Sequence, residues 1–219
     1  MEQIWFGQKK YTEALALQKD HHEVVRQTKV EGFILGLEHS SVITCGPRTN
    51  SGLDLKMNPH QYREMGIEIF EVDRGGETTL HSPGQMVIYP ILSLRQLGLG
   101  VREFVGALEE ATILFFKYFG VETHRGELEP GIYSENGKIA FIGIRVDRGI
   151  TRHGIALNIQ NDLTLFQNIR SCGVDFERFD RLANHISLEP NAMQIKLFPL
   201  WSRCFEKYVD LLDHSPLAE

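Results

Sequence analysis

An Asn-Gly dipeptide at residues 136 and 137 is the sequence feature that most constrains the fold. It lies between a short apolar stretch at residues 131–133 and a longer one at residues 138–146. Asn-Gly favours the positive φ angles of a two-residue hairpin turn, so the stretches are predicted to pair as antiparallel strands, with Lys138 opening the second. Another strand is expected at residues 154–159, after a short polar connection.

Long helices are predicted on both sides of this group of strands. Residues 11–28 carry apolar side chains at roughly helical spacing, and residues 101–119 follow the i, i+3, i+4, i+7 rule and end at Gly120. Residues 200–212 form a third amphipathic pattern, with Pro199 tolerated in the first turn. Further strands are expected at residues 32–38, 68–72 and 86–94. Strands in the middle with flanking helices predict the α+β class rather than a βαβ alternation.

Length and composition exclude several classes of protein. The chain has 219 residues without repeats or a linker tract, so we expect one domain over residues 1–219 with a C-terminal helix after about residue 195. A net charge of −6 argues against a dedicated nucleic-acid binder. No apolar run approaches the roughly 20 residues of a membrane span, and the N-terminus does not resemble a signal peptide. No membrane partner and a cytoplasmic location are therefore expected.

The first segment that could carry chemistry is the Gly-rich stretch at residues 74–85. Its adjacent glycines, Gly75 and Gly76, would let the backbone approach a ligand closely, although a plain hairpin explains them about as well. The spacing matches neither the phosphate loop nor the dinucleotide fingerprint. Lys138 begins an apolar strand that Gly143 interrupts, and His153 stands at a strand entrance; neither residue is informative by itself.

The local sequence around the three cysteines does not decide which of them, if any, is a reactive nucleophile. Cys45, Cys172 and Cys204 are too few for a disulfide framework and contain no C-x-x-C pair for zinc. Cys172 is followed by glycine in a polar connection, where a reactive thiol or a small buried cysteine would be consistent with the sequence. Cys45 is also followed by glycine, whereas Cys204 lies among aromatic residues and is interpreted as part of the core.

Taken together and in order, these segments resemble the lipoyl(octanoyl) transferase family, also called octanoyl-[acyl-carrier-protein]:protein N-octanoyltransferase. The resemblance covers about residues 10–190. It is carried by the Tyr-x-Glu-Ala-Leu-x-Leu-Gln opening at residues 11–18, Leu37-Glu38-His39, the Arg-Gly-Gly-x-x-Thr-x-His-x-Pro-Gly-Gln block, Tyr89-Pro90, Lys138-Ile139-Ala140 with Ile142-Gly143, His153-Gly154 with Leu157-Asn158, and Cys172-Gly173. The family has the fold of the biotin and lipoate protein ligases, which implies a curved mixed sheet flanked by helices.

The resemblance also implies site residues. Cys172 corresponds to the acyl-accepting cysteine, and Lys138 to the lysine that lowers its pKa and moves protons. Ser82 and Ser171 stand where members usually have Gly and Pro, so the loop shape and the entry angle of Cys172 are expected to differ. The substrate pocket implied by the family motifs consists of Arg74, Gly75, Gly76, Glu77, Thr78, Thr79, Leu80, His81, Phe141, Ile142, Gly143, His153, Gly154, Ile155 and Ala156.

The activity implied is transfer of an octanoyl group from octanoyl-acyl carrier protein to a lysine of a lipoyl domain. The acceptors would be 2-oxoacid dehydrogenase subunits or the glycine cleavage H protein. Energy would come from the donor thioester, so no cofactor, ATP or metal is expected. Two alternatives remain: an ATP-dependent lipoate or biotin protein ligase on the same fold, and a catalytically silent lipoyl-domain binder.

Because the net charge is −6 and such partners are usually acidic, docking is expected to rely on a local basic patch. The candidates for this patch are Arg74, Arg145, Arg148 and Arg152, all of which belong to segments assigned to the site.

Overall fold

The computed structural model describes residues 1–28, 30–127, 130–171 and 178–213, and within them ten strands and five α-helices. The elements in chain order are β1 (Glu2–Lys9), α1 (Tyr11–Gln27), β2 (Gly32–His39), β3 (Val42–Cys45), α2 (Ser51–Asp54), α3 (Pro59–Glu64), β4 (Glu68–Glu71), β5 (Thr78–His81), β6 (Gln85–Leu92), α4 (Val101–Lys117), β7 (His124–Arg125), β8 (Gly131–Ser134), β9 (Gly137–Asp147), β10 (Ile150–Asn158) and α5 (Phe198–Asp213). Among the described residues, no helix has the length and apolar character needed to cross a membrane.

Seven strands form the main sheet, in the order β1-β2-β6-β10-β9-β8-β7. Only β1 and β2 pair in parallel among these neighbours; the other pairs are antiparallel. This is a mixed sheet flanked by helices, as predicted. Strand β6, an interior strand that pairs with β2 and β10, is buried along its whole length, which explains why its sequence is almost continuously apolar.

Helices cover both faces of the main sheet, and the alternation along β6 shows why. Met86 and Ile88 belong to the apolar cluster that includes residues of α4 and α5, whereas Val87 and Tyr89 belong to the cluster that includes residues of α1. Successive side chains of a strand point to opposite faces, so an apolar strand requires a cover on each side. On the first face, Trp201 Nε1 donates a hydrogen bond to the hydroxyl of Thr112 (2.9 Å) and ties α5 to α4.

A second, three-stranded sheet has the order β4-β3-β5. Thr44 of β3 is paired with Thr79 of β5, while Ile43 and Leu80 lie in an apolar cluster with Phe141 of β9. One face of the small sheet therefore packs against the main sheet through Phe141.

The hairpin between β8 and β9 differs in detail from the prediction. Ser134 is paired with Gly137, so the turn residues are Glu135 and Asn136, and Asn136 does not have a positive φ. Gly137 has a positive φ (137°), and a Cβ atom there would lie 2.2 Å from the carbonyl oxygen of Arg178. The glycine thus permits a close approach by a distant segment rather than forming the turn.

The strand predicted at 154–159 begins earlier, at Ile150, because the turn that precedes it is only two residues long. Strands β1, β3, β5 and β7 were not predicted.

Candidate active site

A pocket lies between the two sheets. Its wall is built from β3, β5, β6, β9 and β10 together with the first residue of α1. The lining residues are Tyr11, Thr44, Arg74, Thr79, His81, Val87, Tyr89, Pro130, Phe141, Ile142, Gly143, His153, Gly154, Ile155 and Ala156.

The pocket has an exposed side and a buried side. Pro130 is exposed, and Ile142 and Gly143 are half-buried, so they mark its mouth. Tyr11 and Thr79 are 2% and 6% exposed, and with the equally buried His81 and Tyr89 they form what we call the inner end. Apolar side chains dominate the wall in between.

Burial keeps the histidines around the inner end neutral. Desolvation lowers the pKa of His39 to about 4, although a hydrogen bond to the Lys9 carbonyl opposes the shift. Because a carbonyl only accepts, His39 Nδ1 carries the proton and donates to Lys9 (3.3 Å). Its Nε2 therefore accepts from the Tyr89 hydroxyl, at 2.7 Å. The pKa of Tyr89 itself is raised well above its ordinary value, chiefly by burial.

His81 begins a buried polar chain that leads away from the pocket. Desolvation, assisted by the nearby His39, lowers its pKa to about 3. Its Nδ1–H donates a hydrogen bond to Oε1 of Gln85 (2.7 Å), and the Gln85 amide nitrogen donates to Asn158 (2.9 Å). Asn158 in turn donates to the backbone carbonyl of Asp180 (3.0 Å).

His153 occupies the left-handed region, with φ = 57°, and is held there from two sides. Its backbone N–H donates to Oε1 of Gln18 (2.7 Å), and its Nε2 donates to the carboxylate of Asp73 (2.9 Å). Burial lowers the pKa of His153 to about 4, against the opposing effect of Asp73. Arg152 also donates to Asp73 and thus shares this carboxylate.

Arg74 fixes the Gly-rich segment to the small sheet. Its guanidinium donates to the Thr44 carbonyl (2.7 Å), the Thr44 hydroxyl (2.8 Å) and the Glu77 carbonyl (2.7 Å). Gly75 donates its N–H to the carbonyl of Ile144 in β9 (2.8 Å). The segment is therefore bound to both sheets, one on each side of the pocket.

The sequence-predicted pocket residues divide into two groups. Arg74, Thr79 and His81, with all those predicted on β9 and β10, are brought together on the pocket wall. Gly75, Gly76, Glu77, Thr78 and Leu80 do not line it: the first three belong to the loop that Arg74 fixes, and Thr78 and Leu80 have the opposite orientation in β5 from Thr79 and His81.

Lys138 is completely buried, although a lysine beside a hairpin turn is usually solvated. Its Nζ lies 5.2 Å from the ring centroid of Phe141, which lines the pocket, and 5.3 Å from that of Tyr133. Its backbone N–H donates to the Arg178 carbonyl (2.8 Å), and its own carbonyl accepts from Asp180 (3.0 Å). Lys138 therefore lies behind the Phe141 wall and is bonded to the segment that begins at residue 178.

Asp180 anchors that segment. Its buried carboxylate accepts from the Arg181 N–H and the Asn184 side chain (both 2.8 Å), the Ser134 hydroxyl (2.5 Å) and His185 Nε2 (2.6 Å). Burial alone would raise the pKa of Asp180, but these hydrogen bonds hold it below the ordinary value. Asp180 was not predicted from the sequence, because its role comes from partners distributed over two segments.

Cys172, the predicted nucleophile, lies outside the described residues. On its N-terminal side, Arg170 donates its N–H to the Asp54 carbonyl (2.8 Å), and Ser171 is buried. Cys45 is buried in β3 and Cys204 is half-buried in α5; burial raises the pKa of both thiols and so disfavours their reactive thiolate forms.

Five lining residues were not assigned to the pocket from the sequence. Tyr11 and Tyr89 belong to motifs that carry the family resemblance, so a signal for them was present. Thr44, Val87 and Pro130 gave none. Thr44 and Val87 are placed there only by the pairing of strands distant in sequence, and Pro130 lies in the loop before β8.

A family model described as the lipoyl protein ligase A/B catalytic domain matches residues 10–196. The chain belongs to this family. The solved structures with similar folds include a lipoate-protein ligase A bound with ATP, with a TM-score of 0.73, 14% identity, and coverage of 97% of this chain and 94% of that one. Another is a bipartite lipoate protein ligase with its E2 lipoyl domain from Thermoplasma acidophilum, with a TM-score of 0.71, 13% identity, and coverage of 97% and 92%.

Curated relatives place the chain among the octanoyltransferases of that family, which are acyltransferases. An octanoyltransferase of Syntrophobacter fumaroxidans is 40% identical over 77% of this chain and 73% of its own length. One from Caldanaerobacter subterraneus subsp. tengcongensis is 34% identical over 99% and 95%. A mitochondrial octanoyltransferase of Arabidopsis thaliana is 34% identical over 78% and 74%.

Proposed function

We propose that this chain is a single catalytic domain that transfers an octanoyl group from octanoyl-acyl carrier protein to a lysine of a lipoyl domain, through an acyl thioester on Cys172. The acceptors would be the lipoyl domains of 2-oxoacid dehydrogenase subunits or the glycine cleavage H protein. The octanoyltransferase relatives support the type of reaction, and a lipoyl domain is the partner named for one ligase of the same fold.

The observation that carries the proposal is the buried Lys138 behind the pocket wall. A thiol with a pKa of about 8.5 is only a few per cent ionised at neutral pH, and a nearby ammonium group favours the thiolate. Lys138 lies next to the pocket through Phe141 and is bonded to Arg178, six residues after Cys172. We infer that Lys138 acts on the thiol of Cys172, because its backbone partner Arg178 follows Cys172 so closely along the chain.

The pocket supports an acyl substrate. Val87, Phe141, Ile142, Ile155 and Ala156 provide an apolar wall between the mouth and the inner end. Alkyl chains bind in such pockets because each Å² of apolar surface that is removed from water contributes about 25 cal/mol of favourable free energy.

The proposed chemistry comprises two acyl transfers. The Cys172 thiolate attacks the donor carbonyl, a new C–S bond forms, and the carrier's C–S bond breaks. The carrier thiolate takes up the ammonium proton of Lys138, which leaves Lys138 neutral. The acceptor lysine, as a neutral amine, then attacks the acyl-enzyme carbonyl; a C–N bond forms and the Cys172 thiolate leaves. The proton released from this amine passes to Lys138 in its neutral form.

Intact-mass analysis after incubation with octanoyl-acyl carrier protein tests the covalent step. We expect one octanoyl addition that is lost in Cys172→Ala and retained in Cys45→Ala. Persistence of the adduct in Cys172→Ala, or its mapping to Cys45, would contradict the assignment.

Alkylation of Cys172 measured against pH tests the role of Lys138. Lys138→Ala should raise the apparent pKa of the thiol because the ammonium is lost, whereas Lys138→Arg should retain part of the pKa depression and transfer protons poorly. Equal thiol pKa values in wild type and Lys138→Ala would exclude this role.

The ligase alternative predicts a different requirement. A ligase forms an acyl-adenylate, so it would need ATP and would remain largely active as Cys172→Ser. Transfer to an apo lipoyl domain from octanoyl-acyl carrier protein without ATP, abolished by Cys172→Ser, supports the transferase; the opposite result supports the ligase.

A further inference from the structure

Two hydroxyl groups of the pocket wall have no hydrogen-bond partner among the described residues. They are the phenolic oxygen of Tyr11 and Oγ1 of Thr79, both inaccessible to solvent. Tyr11 is 2% exposed and Thr79 6% exposed, so bulk water does not supply the missing hydrogen bond to either hydroxyl. Native proteins rarely leave buried hydroxyls unpaired, and in a pocket the usual reason is a missing ligand or ordered water.

Two neighbouring groups, His81 and Tyr89, can each accept a further hydrogen bond. His81 donates through Nδ1 to Gln85, so its neutral ring keeps Nε2 as an acceptor. Tyr89 donates its only hydroxyl proton to His39, so its oxygen retains a lone pair. The inner end of the pocket therefore offers both donors and acceptors, and an alkyl chain satisfies none of them.

We propose that the inner end is a polar subsite that binds one hydrogen-bonding oxygen and that this oxygen limits how far an alkyl chain can enter. Two sources have this chemistry: an ordered water beyond the end of a plain acyl chain, and a terminal hydroxyl on an ω-hydroxyacyl chain. The inference rests on the proposed function in taking an acyl chain as the occupant of the apolar part.

The subsite makes Tyr11 and Thr79 determinants of acyl length. A chain that enters from the mouth at Pro130 and Ile142 reaches the inner end with its last carbons, because the residues of the mouth are exposed or half-buried and those of the inner end are buried. A longer chain must displace the oxygen and bury the hydroxyls against methylene groups. Replacing a hydroxyl by an apolar group of the same shape removes this obstacle and breaks no hydrogen bond between described residues.

The experiment compares kcat/KM for octanoyl- and decanoyl-acyl carrier protein in wild type, Tyr11→Phe and Thr79→Val. An unsatisfied buried hydroxyl costs about 1–3 kcal/mol, so the wild-type preference for octanoyl over decanoyl should fall by roughly tenfold in each variant. Ser202→Ala is the matched control: Ser202 in α5 also has a buried hydroxyl with no partner in the described part of the chain, but it does not line the pocket. Its ratio should equal that of wild type.

Calorimetric binding of free octanoate and decanoate to the same four proteins separates this inference from the proposed function. A shifted binding ratio without any acyl transfer would retain the subsite and reject the transferase. The subsite is overturned if wild type transfers the acyl group and Tyr11→Phe and Thr79→Val have the same octanoyl to decanoyl ratio of kcat/KM as wild type. A shift of equal size in Ser202→Ala would also overturn it.

An 8-hydroxyoctanoyl donor identifies the source of the oxygen when the ratio shifts. If wild type prefers this donor over octanoyl, and Tyr11→Phe and Thr79→Val abolish that preference, the result supports the subsite, with the chain supplying the oxygen. Preference for octanoyl in wild type supports it with ordered water as the occupant.

Discussion

Three buried histidines give the molecule a definite response to acid. His39, His81 and His153 have their pKa values lowered by desolvation to about 4, 3 and 4. In the unfolded chain their pKa is about 6.5, so between pH 6.5 and 4 the unfolded state binds more protons than the folded state. Stability is therefore complete above pH 6.5 and is lost as the pH falls through this window.

We expect the free energy of unfolding to fall as the pH is lowered from 7 to 5. Each neutral histidine contributes a limiting slope of about 1.4 kcal/mol per pH unit, so His153→Asn should reduce the slope by that amount while Asn still tolerates the positive φ. Urea unfolding at several pH values measures the slope. His60→Asn, at a histidine that is 71% exposed, is the control. Equal slopes in wild type and His153→Asn would show that His153 is not held neutral.

Asp180 should matter for stability more than an ordinary carboxylate. Asp180→Ala leaves four donors, including the Ser134 hydroxyl and the Arg181 N–H, without their acceptor, and should cost about 3 kcal/mol. Asp180→Asn keeps one acceptor oxygen and should cost less. Chemical denaturation measures both against Asp162→Ala, which removes an exposed helix cap worth about 1 kcal/mol. A loss in Asp180→Ala no greater than in that control would contradict the anchoring role.

At the scale of elements, the β9–β10 hairpin has a turn of two residues, Arg148 and Gly149, between paired Asp147 and Ile150. Both turn residues have positive φ, 51° and 77°, which matches the strand twist that favours type I′ turns. Glycine accepts this conformation readily, whereas arginine in the left-handed region is strained.

Arg148→Asn should stabilise the protein by about 0.5–1 kcal/mol, because asparagine tolerates positive φ, and Gly149→Ala should destabilise it by about 1–2 kcal/mol. Asn136→Ala is the comparison, since Asn136 is exposed and lies in a turn without positive φ. It should change stability by less than about 0.5 kcal/mol. Denaturant midpoints give all three values, and destabilisation by Arg148→Asn would contradict the turn assignment.

Helices α1, α4 and α5 were predictable because each has one apolar face with helical spacing, which local sequence records. Strand β5 was not, because Thr78–His81 has no strand periodicity and is held by pairing with β3, more than thirty residues away. The same distinction applies to the site. Motif residues such as Arg74 and His153 were predicted, whereas Thr44 joins the pocket only through tertiary pairing.

At the scale of the whole molecule, the structure reduces the number of arginines that can form the predicted basic patch. Arg74 is buried and bound to Thr44, and Arg152 donates to Asp73 with only 13% of its side chain exposed. Arg145 and Arg148 are exposed on the β9–β10 hairpin. Arg145 lies two residues beyond Gly143 at the mouth; its guanidinium is 4.0 Å from the Asp73 carboxylate, but 53% of its side chain is exposed. Only these two of the four predicted arginines are available to an approaching partner.

With a net charge of −6, the molecule as a whole repels an acidic carrier protein, so any attraction must come from this local positive charge. Arg145→Gln and Arg148→Gln should each lower kcat/KM for the carrier-protein donor by about two- to fivefold at low ionic strength, mainly through slower association. The loss should shrink as salt rises, because the Debye length falls to about 8 Å at 0.15 M. Arg26→Gln, on α1 and paired with Glu23, is the control and should not change the rate. If both hairpin variants match wild type at low salt, or if wild-type kcat/KM is insensitive to salt, these arginines do not steer the donor.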